Sequence, residues 1–286
     1  MRAIPFVKMH GLGNDFVVVA DALLPEGMAI TPELARAIGH RNFGVGFDQL
    51  LWLRAPRGPG ADLRMEIFNT DGSIAEMCGN GIRAVALYAR DRAEKLGLAR
   101  KDRYAIETLA GLKTVEIVRG ADGGDRVVVD MGVPVLGGGF PSEGEAIEAE
   151  GRTFKFFEVS MGNPHAVIFV EGNDADLYQK VVTNFGQQIE KHPRFPKRTN
   201  VEFVQIRDEH KIQVDVWERG AGITLACGTG ACAAAVAALR TKRVKNDVTV
   251  QLPGGMLKIS WNGEGKPVFM EGPAVEVFSG QYSIAD

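Results

Sequence analysis

The sequence is poor in cysteine, in long apolar runs and in charge of one sign. Its 286 residues include 3 cysteines, too few for a disulfide framework. The longest mostly apolar run, residues 231–239, falls far short of the roughly 18 residues that cross a bilayer. The formal net charge is −3 and no basic run stands out. These absences argue against a disulfide-stapled domain, a membrane partner and a nucleic-acid partner.

Residues 1–20 also lack the apolar segment and the small-residue cleavage site of a secretory signal. We therefore expect a cytoplasmic protein with reduced thiols. The 45% apolar and 24% charged residues are ordinary for a globular protein, and the length suits two domains of typical size.

Two of the cysteines, Cys78 and Cys227, have closely similar surroundings. Residues 65–81 and 214–230 each read as a strand of alternating apolar residues, then a polar turn with glycine, then Cys-Gly-x-Gly. The offset is 227 − 78 = 149, and the same offset relates Gly13-Asn14 to Gly162-Asn163 far upstream. Two matches at one offset indicate a duplicated domain.

The predicted elements fall into two halves, residues 1–125 and 126–272, with a tail, 273–286, that returns to pack on the first half. Short apolar stretches predict six strands in the first half and seven in the second. Two long helices, Gly79–Leu96 and Gly228–Lys242, follow the two cysteines directly.

A shorter helix is predicted after Thr31, a good helix cap, with Pro32 at the first helical position. Each half therefore has many strands and one principal helix. We predict an α+β fold of two homologous domains, each a curved, mostly antiparallel sheet or barrel wrapped around a central helix. The active site is expected in the cleft between the domains.

The position of each Cys-Gly-x-Gly, between a turn and a helix, predicts a thiol at a helix N-terminus. Free backbone N–H groups and the positive end of the helix dipole favour a thiolate there, and a bound carboxylate beside it. A helix terminus contributes at most about 2 kcal/mol. We therefore expect a modest lowering of each thiol pKa, to near neutrality, so that one thiol acts as base while the other acts as acid.

Duplication explains why there are two such thiols. Equivalent cysteines from two homologous halves would face one carbon from opposite sides, where one removes a proton and the other donates one. Inversion at a carbon by proton transfer requires such an acid and base pair.

A set of further motifs extends over nearly the whole chain: residues 8–16, 44–49, 69–83, 162–165, 198–203, 218–220 and 226–232. The stretch 69–83, which contains Cys78, resembles the signature of diaminopimelate epimerases, and the other stretches resemble the same family. The resemblance implies two similar α/β domains and a homodimer. It also implies a cofactor-independent epimerase, without pyridoxal phosphate, that interconverts LL- and meso-2,6-diaminopimelate on the route to lysine and peptidoglycan precursors.

By this resemblance, Cys78 and Cys227 are the two catalytic acid–base residues. His165 is expected near the site as an assisting residue, and no metal is expected. Backbone N–H groups at 79–80 and 228–229 would hold the reacting carboxylate. The residues expected to bind substrate are Asn14, Gln49, Asn69, Gly79, Asn80, Asn163, Asn200, Glu218, Arg219, Gly228 and Thr229.

The pair Glu218-Arg219 suits a substrate with two amino acid ends. It offers an anion for an ammonium group and a cation for a carboxylate, which arginine can bind with two hydrogen bonds. An amino acid with one such end would leave these groups unpaired.

Other interpretations remain open. Cys78 and Cys227 can be structural thiols, as Cys232 is expected to be, and Glu218-Arg219 can be a surface ion pair. A metal site from the two cysteines and His165 lacks closely spaced ligand pairs. Three further functions fit in part: a racemase for proline, hydroxyproline or histidine, a redox protein whose facing thiols form a disulfide, and a non-catalytic amino acid binding domain.

Overall fold

The computed structural model describes residues 2–138, 140–171 and 175–284, and gives side chains for all of these except 175–179. The chain divides into two compact units. Unit 1 is Met1–Val129 together with Gly272–Asp286, and unit 2 is Asp130–Glu271.

The helices and strands of the described residues are named in chain order. Up to residue 130 they are β1 (Arg2–Gly11), β2 (Asn14–Ala20), α1 (Pro32–Gly39), β3 (Gln49–Arg54), β4 (Leu63–Asn69), β5 (Ile74–Ala75), α2 (Gly79–Asp91), β6 (Arg103–Thr108), β7 (Gly111–Arg119) and β8 (Asp125–Asp130). After that they are β9 (Val135–Leu136), β10 (Glu145–Ala149), β11 (Arg152–Ser160), β12 (Pro164–Phe169), α3 (Ala175–Glu190), β13 (Asn200–Asp208), β14 (Lys211–Glu218), β15 (Gly222–Thr224), α4 (Gly228–Arg240), β16 (Val248–Leu252), β17 (Gly255–Trp261), β18 (Val268–Gly272) and β19 (Val275–Ile284).

In unit 1 the strands are ordered β19-β1-β2-β3-β4-β6-β7-β8, and β5 forms a short hairpin with β4. The pairs β2–β3 and β4–β6 are parallel, and the other pairs are antiparallel. Each parallel pair is joined through a helix, α1 for the first and α2 for the second. This is the usual way to connect parallel neighbours, because a tight turn cannot reverse the chain twice.

Unit 2 repeats this topology. Its order is β11-β12-β13-β14-β16-β17-β18, β15 forms a hairpin with β14, and β9 and β10 both pair with β11. The parallel pairs are β12–β13, joined through α3, and β14–β16, joined through α4. The predicted fold of two homologous α+β domains with mostly antiparallel strands is confirmed.

One helix in each unit is enclosed by strands. Residues 79–89 of α2 are all buried, and α2 packs against β1, β2, β3 and β7. Residues 230–238 of α4 are likewise buried, and α4 packs against β11, β12, β13, β14, β16 and β17. The small side chains after Cys227 allow this, since a helix that is apolar all round is stable only when it is buried. The prediction of a central helix is confirmed for both units.

The second helix of each unit packs on a partly different set of strands. Thr31 caps α1 as predicted, because its hydroxyl accepts a hydrogen bond from Leu34 N at 3.2 Å. Helix α1 packs on β3 and β4, and α3 packs on β10, β13, β14 and β15. The sequence analysis did not predict α3.

The bounds of the two long helices differ from the prediction. Helix α2 ends at Asp91, because Arg92 (φ −119°, ψ 19°) leaves helical geometry. A separate 3-10 turn, Glu94–Leu96, then ends at Gly97 with φ 66°. Helix α4 ends at Arg240, and Lys242 has the left-handed φ of 57° that follows many helix ends. A single helix over 79–96 is therefore wrong.

Candidate active site

Both cysteines are N-caps, as the sequence predicts. Cys78 has an extended backbone (φ −139°, ψ 108°), and its sulfur accepts a hydrogen bond from Gly81 N at 3.2 Å. Cys227 does the same at α4 (φ −117°, ψ 110°), and its sulfur accepts from Gly230 N at 3.4 Å. Each sulfur therefore satisfies one of the free N–H groups of the first helical turn, a role that serine or aspartate oxygens usually have.

A side chain at the second glycine of each Cys-Gly-x-Gly would crowd its neighbours. A Cβ at Gly81 would lie 3.1 Å from Leu51 Cδ2 and 3.3 Å from Cys78 Cβ. A Cβ at Gly230 would lie 2.8 Å from Glu202 Oε1 and 3.2 Å from Cys227 Sγ. The glycines thus let the first helical turn approach the sulfur, and in unit 2 also a buried carboxylate.

In unit 1, two asparagines surround the thiol of Cys78. Asn14 Oδ1 lies 3.9 Å from Cys78 Sγ and accepts a hydrogen bond from Asn80 Nδ2 at 3.3 Å. Asn14 Nδ2 donates to Asp48 Oδ2 at 2.9 Å. Because an amide has one oxygen and one nitrogen, the bond to Asp48 directs the oxygen of Asn14 toward the thiol.

An ionic network holds Asp48 behind Asn14. Asp48 accepts a hydrogen bond from Asp15 N at 3.0 Å, and Arg41 bridges Asp48 and Asp15 at 2.7 and 2.8 Å. Lys8, which is buried, also pairs with Asp15. Burial alone would raise the pKa of the Asp15 carboxyl, but hydrogen bonds from Arg41 and Lys8 lower it overall. The carboxylate of Asp15 therefore stays ionised at neutral pH.

Gln49 and Asn69 form a separate polar pair in unit 1. They are cross-strand neighbours on β3 and β4, and Gln49 Nε2 donates to Asn69 Oδ1 at 3.1 Å. Asn69 Nδ2 donates to Ser73 Oγ at 3.0 Å across the turn between β4 and β5. Gly72 makes this turn possible with its φ of 80°.

In unit 2, a chain of hydrogen bonds leads from the protein interior to Cys227. Thr229 Oγ1 lies 3.6 Å from Cys227 Sγ and accepts from Asn163 Nδ2 at 3.3 Å. Asn163 Oδ1 is 2.9 Å from His165 Nε2, and His165 Nδ1 is 2.7 Å from Glu202 Oε1. The side chains of His165 and Glu202 are 0% exposed. His165 thus lies behind Asn163 and holds it in place.

Two carboxylates influence the Cys227 thiol. Burial raises its pKa well above the usual value, and the charges of Glu218 and Glu202 raise it further. Hydrogen bonds from Thr229 and Gly230 act in the opposite direction but are weaker. The expectation that the helix N-terminus brings this thiol near neutrality is therefore wrong for Cys227, because burial and nearby negative charge outweigh the helix dipole.

Glu218 itself is a perturbed carboxyl group. Burial raises its pKa, a hydrogen bond from Thr224 opposes the rise, and the charge of Glu202 adds to it. The bond joins Thr224 Oγ1 to Glu218 Oε1 at 2.5 Å. Such perturbed groups are common in catalytic and binding sites.

Arg219 and Asn200 are joined through the backbone. Asn200 Oδ1 accepts from Arg219 N at 2.9 Å, and Asn200 Nδ2 donates to Pro164 O at 2.9 Å. The guanidinium of Arg219 donates to Lys197 O at 3.3 Å. Asn200 therefore connects the strand that carries Glu202 to the turn that carries Arg219.

The predicted site residues thus form local groups within each unit. In unit 1, Asn14 and Asn80 adjoin Cys78, and Gln49 pairs with Asn69. In unit 2, Asn163 and Thr229 adjoin Cys227, with His165 behind them, and Asn200 binds the turn of Glu218-Arg219. Gly79 and Gly228 are the first residues of α2 and α4, and both are buried.

Sequence reasoning missed residues that hold these groups in place, among them Asp48, Glu202 and Thr224. Asp48 and Glu202 lie inside motifs at 44–49 and 198–203, but nothing local shows that they hold Asn14 and His165. Cys232 is fully buried on α4. Within the described residues, no group of three or more histidine, cysteine, aspartate or glutamate side chains is arranged to bind a metal. Nor does any described helix have the length and apolar character to cross a membrane.

Comparison with known proteins gives a consistent result. A family model described as diaminopimelate epimerase matches residues 6–137 and 157–277. The diaminopimelate epimerase of Pseudomonas entomophila is 47% identical over 283 residues, which are 96% of this chain and 98% of that protein. The diaminopimelate epimerase of Moorella thermoacetica is 47% identical over 287 residues, or 98% of this chain and 99% of that protein.

Solved structures show the same fold at low identity. A phenazine biosynthesis protein of the PhzF family from Bacillus anthracis has a TM-score of 0.72 at 18% identity, covering 99% of this chain and 100% of its own. A hydroxyproline epimerase from Agrobacterium vitis has a TM-score of 0.72 at 15% identity, covering 100% of this chain and 95% of its own. Because the family model spans most of both units and the relatives match nearly end to end, the chain belongs to the diaminopimelate epimerase family, a family of isomerases.

Proposed function

We propose that this protein interconverts LL- and meso-2,6-diaminopimelate by transfer of one proton at the α-carbon, without a cofactor. The observation that carries the proposal is the equivalence of Cys78 and Cys227. Each caps an enclosed helix through its sulfur, and each has an asparagine of the duplicated Gly-Asn pair in its immediate group. The names of the relatives supply the substrate.

The proposed chemistry balances with the two thiols alone. One cysteine thiolate removes the α-proton and becomes a thiol, and the electron pair is left on the substrate carbon and its carboxylate. The other cysteine gives its proton to the opposite face of the carbon and becomes a thiolate. We propose that the first turns of α2 and α4, with N–H groups at 79–80 and 228–229, bind the carboxylate as the negative charge develops.

The two thiols are proposed to differ in the free enzyme. Burial and the charges of Glu218 and Glu202 raise the pKa of Cys227, so it holds its proton at neutral pH. Cys78 is partly exposed. We therefore propose that Cys227 is the acid and Cys78 the base when substrate first binds. After that turnover Cys78 is the thiol and Cys227 the thiolate, so the reverse reaction can start from this state. A second turnover in the same direction needs the proton to return to Cys227.

Recognition of the second amino acid end is proposed to lie with one charged pair and with amides that hydrogen bonds hold in place. Glu218 and Arg219 offer opposite charges on one turn, and the amides of Gln49, Asn69 and Asn200 are each fixed by a hydrogen bond. Fixed polar groups favour a ligand that satisfies all of them, because an unpaired polar group in a closed site is costly.

The direct test is proton exchange. Incubation of LL-diaminopimelate with the pure protein in deuterated water should place deuterium at the inverted α-carbon. The variants C78A and C227A should each lose epimerisation, whereas C232A removes a buried thiol that is not proposed to react and should keep it. Absence of label with the wild-type protein, or activity retained in C78A or C227A, would refute the proposal.

A racemase for proline or hydroxyproline is the second candidate, since the hydroxyproline epimerase from Agrobacterium vitis shares the fold. The carboxylate and guanidinium of Glu218-Arg219 favour a two-ended substrate instead. Rates of α-proton exchange on diaminopimelate, proline and hydroxyproline decide between them.

We also propose that the protein is a homodimer in the cytoplasm, acting on the route to lysine and peptidoglycan precursors. The strand β19 supports a dimer, because side chains on both of its faces are exposed although they are apolar. Val275, Val277 and Phe278 are 45, 56 and 49% exposed. Exposed apolar strands of this kind are common at interfaces. Light scattering gives the molar mass of the wild type and of Val277→Glu in solution. The variant should have the lower mass, and equal masses would argue against the dimer.

The two units are proposed to be the halves of the duplication, 1–125 with 273–286 and 126–272.

A further inference from the structure

A buried carboxylate, Glu190, lies at the end of α3. Glu190 is 3% exposed, and its two oxygens are used separately. Oε2 accepts a hydrogen bond from Trp217 Nε1 at 2.8 Å, and Oε1 accepts from Gly220 N at 3.0 Å. Arg198, whose side chain is 56% exposed, lies 3.6 Å from Oε1. None of the motifs in the sequence includes Glu190.

The two donors lie on either side of Glu218 and Arg219. Trp217 and Glu218 end β14, and the chain turns through Gly220, which has a φ of 79°. The turn is closed by a hydrogen bond from Ala221 N to Glu218 O at 3.1 Å. A single carboxylate therefore binds the turn both before and after the pair of charged residues.

The indole ring is fixed as well as hydrogen-bonded. A Cβ at Gly186 of α3 would lie 2.7 Å from Trp217 Cβ and 2.8 Å from its ring carbons. Only glycine lets the helix pack this closely on Trp217. Helix α3 thus contacts the turn through packing at Gly186 and through hydrogen bonds at Glu190, one helical turn later.

Unit 1 has a contact of the same kind with the opposite charge. Arg36 on α1 donates from its guanidinium to Asp71 O at 3.1 Å, in the turn between β4 and β5. Asp71 and Gly220 are related by the same offset of 149 as the two cysteines. A Cβ at Gly72 would lie 2.6 Å from Pro32 O, so the turn is pressed against α1. In both units the first helix holds the turn after the equivalent strand, and this turn precedes the catalytic cysteine.

Burial of a carboxylate destabilises the folded protein unless hydrogen bonds compensate for the lost hydration. A glutamate at this place stabilises one backbone conformation of the turn, because its two oxygens accept from two donors at a set separation. An apolar side chain could fill the same space but could not fix Gly220 N and the indole N–H together.

We propose that Glu190 is a positioning residue that holds the Glu218–Arg219 turn for the second amino acid end of the substrate. The proposal rests on the proposed function, since Glu218 and Arg219 are recognition groups only if the substrate has two ends. Glu190 does not touch the reacting carbon. Its loss should weaken binding of the distal end in the ground state and in the transition state alike.

The test uses the full chain with Glu190→Gln. The variant keeps size and one acceptor, but places an NH2 group against one of the two donors. We expect a rise in KM for LL-diaminopimelate of about 10- to 100-fold with a smaller change in kcat, as for the loss of a hydrogen bond to a charged group. The preference for diaminopimelate over lysine, measured by α-proton exchange, should fall by a similar factor. Glu264→Gln, at an exposed carboxylate paired with Arg240 at 2.7 Å, is the matched control.

Two readouts separate positioning from general stability. The indole N–H signal of Trp217, one of 3 tryptophans, should move in the NMR spectrum of E190Q but not of E264Q. Hydrogen exchange over residues 217–222 should become at least about tenfold faster in E190Q than in the control. Trp217→Phe, which removes one donor and keeps the ring, should change KM and preference in the same direction by less.

The outcomes are distinct. If wild-type protein exchanges the α-proton of LL-diaminopimelate but E190Q and W217F keep its KM and preference, the proposal is overturned. If wild-type protein shows no exchange, the proposed function fails, and hydrogen exchange over 217–222 alone decides whether Glu190 holds the turn. If E190Q does not fold, W217F decides by the same KM and preference measurements.

Discussion

Glu202→Gln should make the Cys227 thiol more acidic. Glu202 is fully buried beside the first turn of α4, and its negative charge is one of the causes that raise the pKa of Cys227. Burial and Glu218 are the larger causes and remain in the variant. Glutamine is the same size and can still accept a hydrogen bond from His165, so the geometry of the Asn163 amide should be kept.

The size of the effect follows from the distance. A Cβ at Gly230 would lie 2.8 Å from Glu202 Oε1 and 3.2 Å from Cys227 Sγ, so the two atoms are at most about 6 Å apart. At an effective dielectric constant of about 20, two unit charges at that distance repel by about 3 kcal/mol. We therefore expect about a tenfold or greater rise in the thiolate fraction of Cys227 at a given pH below the pKa of this thiol.

The assay is alkylation by iodoacetamide as a function of pH, with the modified cysteine identified by peptide mapping. In the wild type, Cys78 should react first near neutral pH, because the raised pKa keeps Cys227 protonated until the pH is high. In E202Q the profile of Cys227 should move to lower pH, while that of Cys78 stays in place. An unchanged Cys227 profile, or a move to higher pH, would refute the electrostatic reasoning. E264Q again serves as the control for loss of a carboxylate.

Three further predictions concern the groups that hold the site and the fold. Asp48→Asn should lower epimerase activity by about tenfold or more, because its amide can present a donor to the Asn14 side chain, which is then free to rotate. The circular dichroism spectrum should stay unchanged, and full activity would contradict the role of Asp48. Gly230→Ala should lower the free energy of unfolding by about 1–3 kcal/mol in urea titrations, since its Cβ would lie 2.8 Å from a buried carboxylate oxygen, whereas Gly58→Ala, with nothing within 4 Å, should change it by less than about 0.5 kcal/mol. Thr31→Ala should lower the free energy of unfolding by about 0.5–2 kcal/mol, because the helix cap is lost. Thr31→Ser should keep most of the wild-type stability. Equal stability of the alanine and serine variants would show that the hydroxyl does not matter.

Local sequence determined much of the fold. The alternating apolar stretches predicted thirteen of the strands, and Thr31-Pro32 predicted the start of α1, because these signals act between residues close in the chain. The repeat at offset 149 predicted both the duplication and the two N-cap cysteines. Short strands such as β5 and β15 were missed, since two or three residues hold no pattern. The strand β10 and the ten-residue strands β1 and β19 were also missed; β1 and β19 pair with each other although they lie at opposite ends of the chain. Helix α3 was missed too, although it repeats the place of α1 in the topology.

The chemical properties of the site depended on contacts distant in sequence. The sequence predicts only the local effect, in which a helix N-terminus lowers the pKa of each thiol. Only the tertiary structure adds the burial of Cys227 and the carboxylates of Glu202 and Glu218, whose combined effect is larger and of opposite sign. Likewise, the positions of Asp48 and Glu190 in the sequence do not predict that Asp48 binds the Asn14 amide or that Glu190 binds the Glu218–Arg219 turn. The sequence by itself predicted Cys78 and Cys227 as the reacting residues and determined where α1, α2 and α4 begin. The tertiary structure decided their proton affinity and orientation, because electrostatic and packing interactions depend on distance in space and not along the chain.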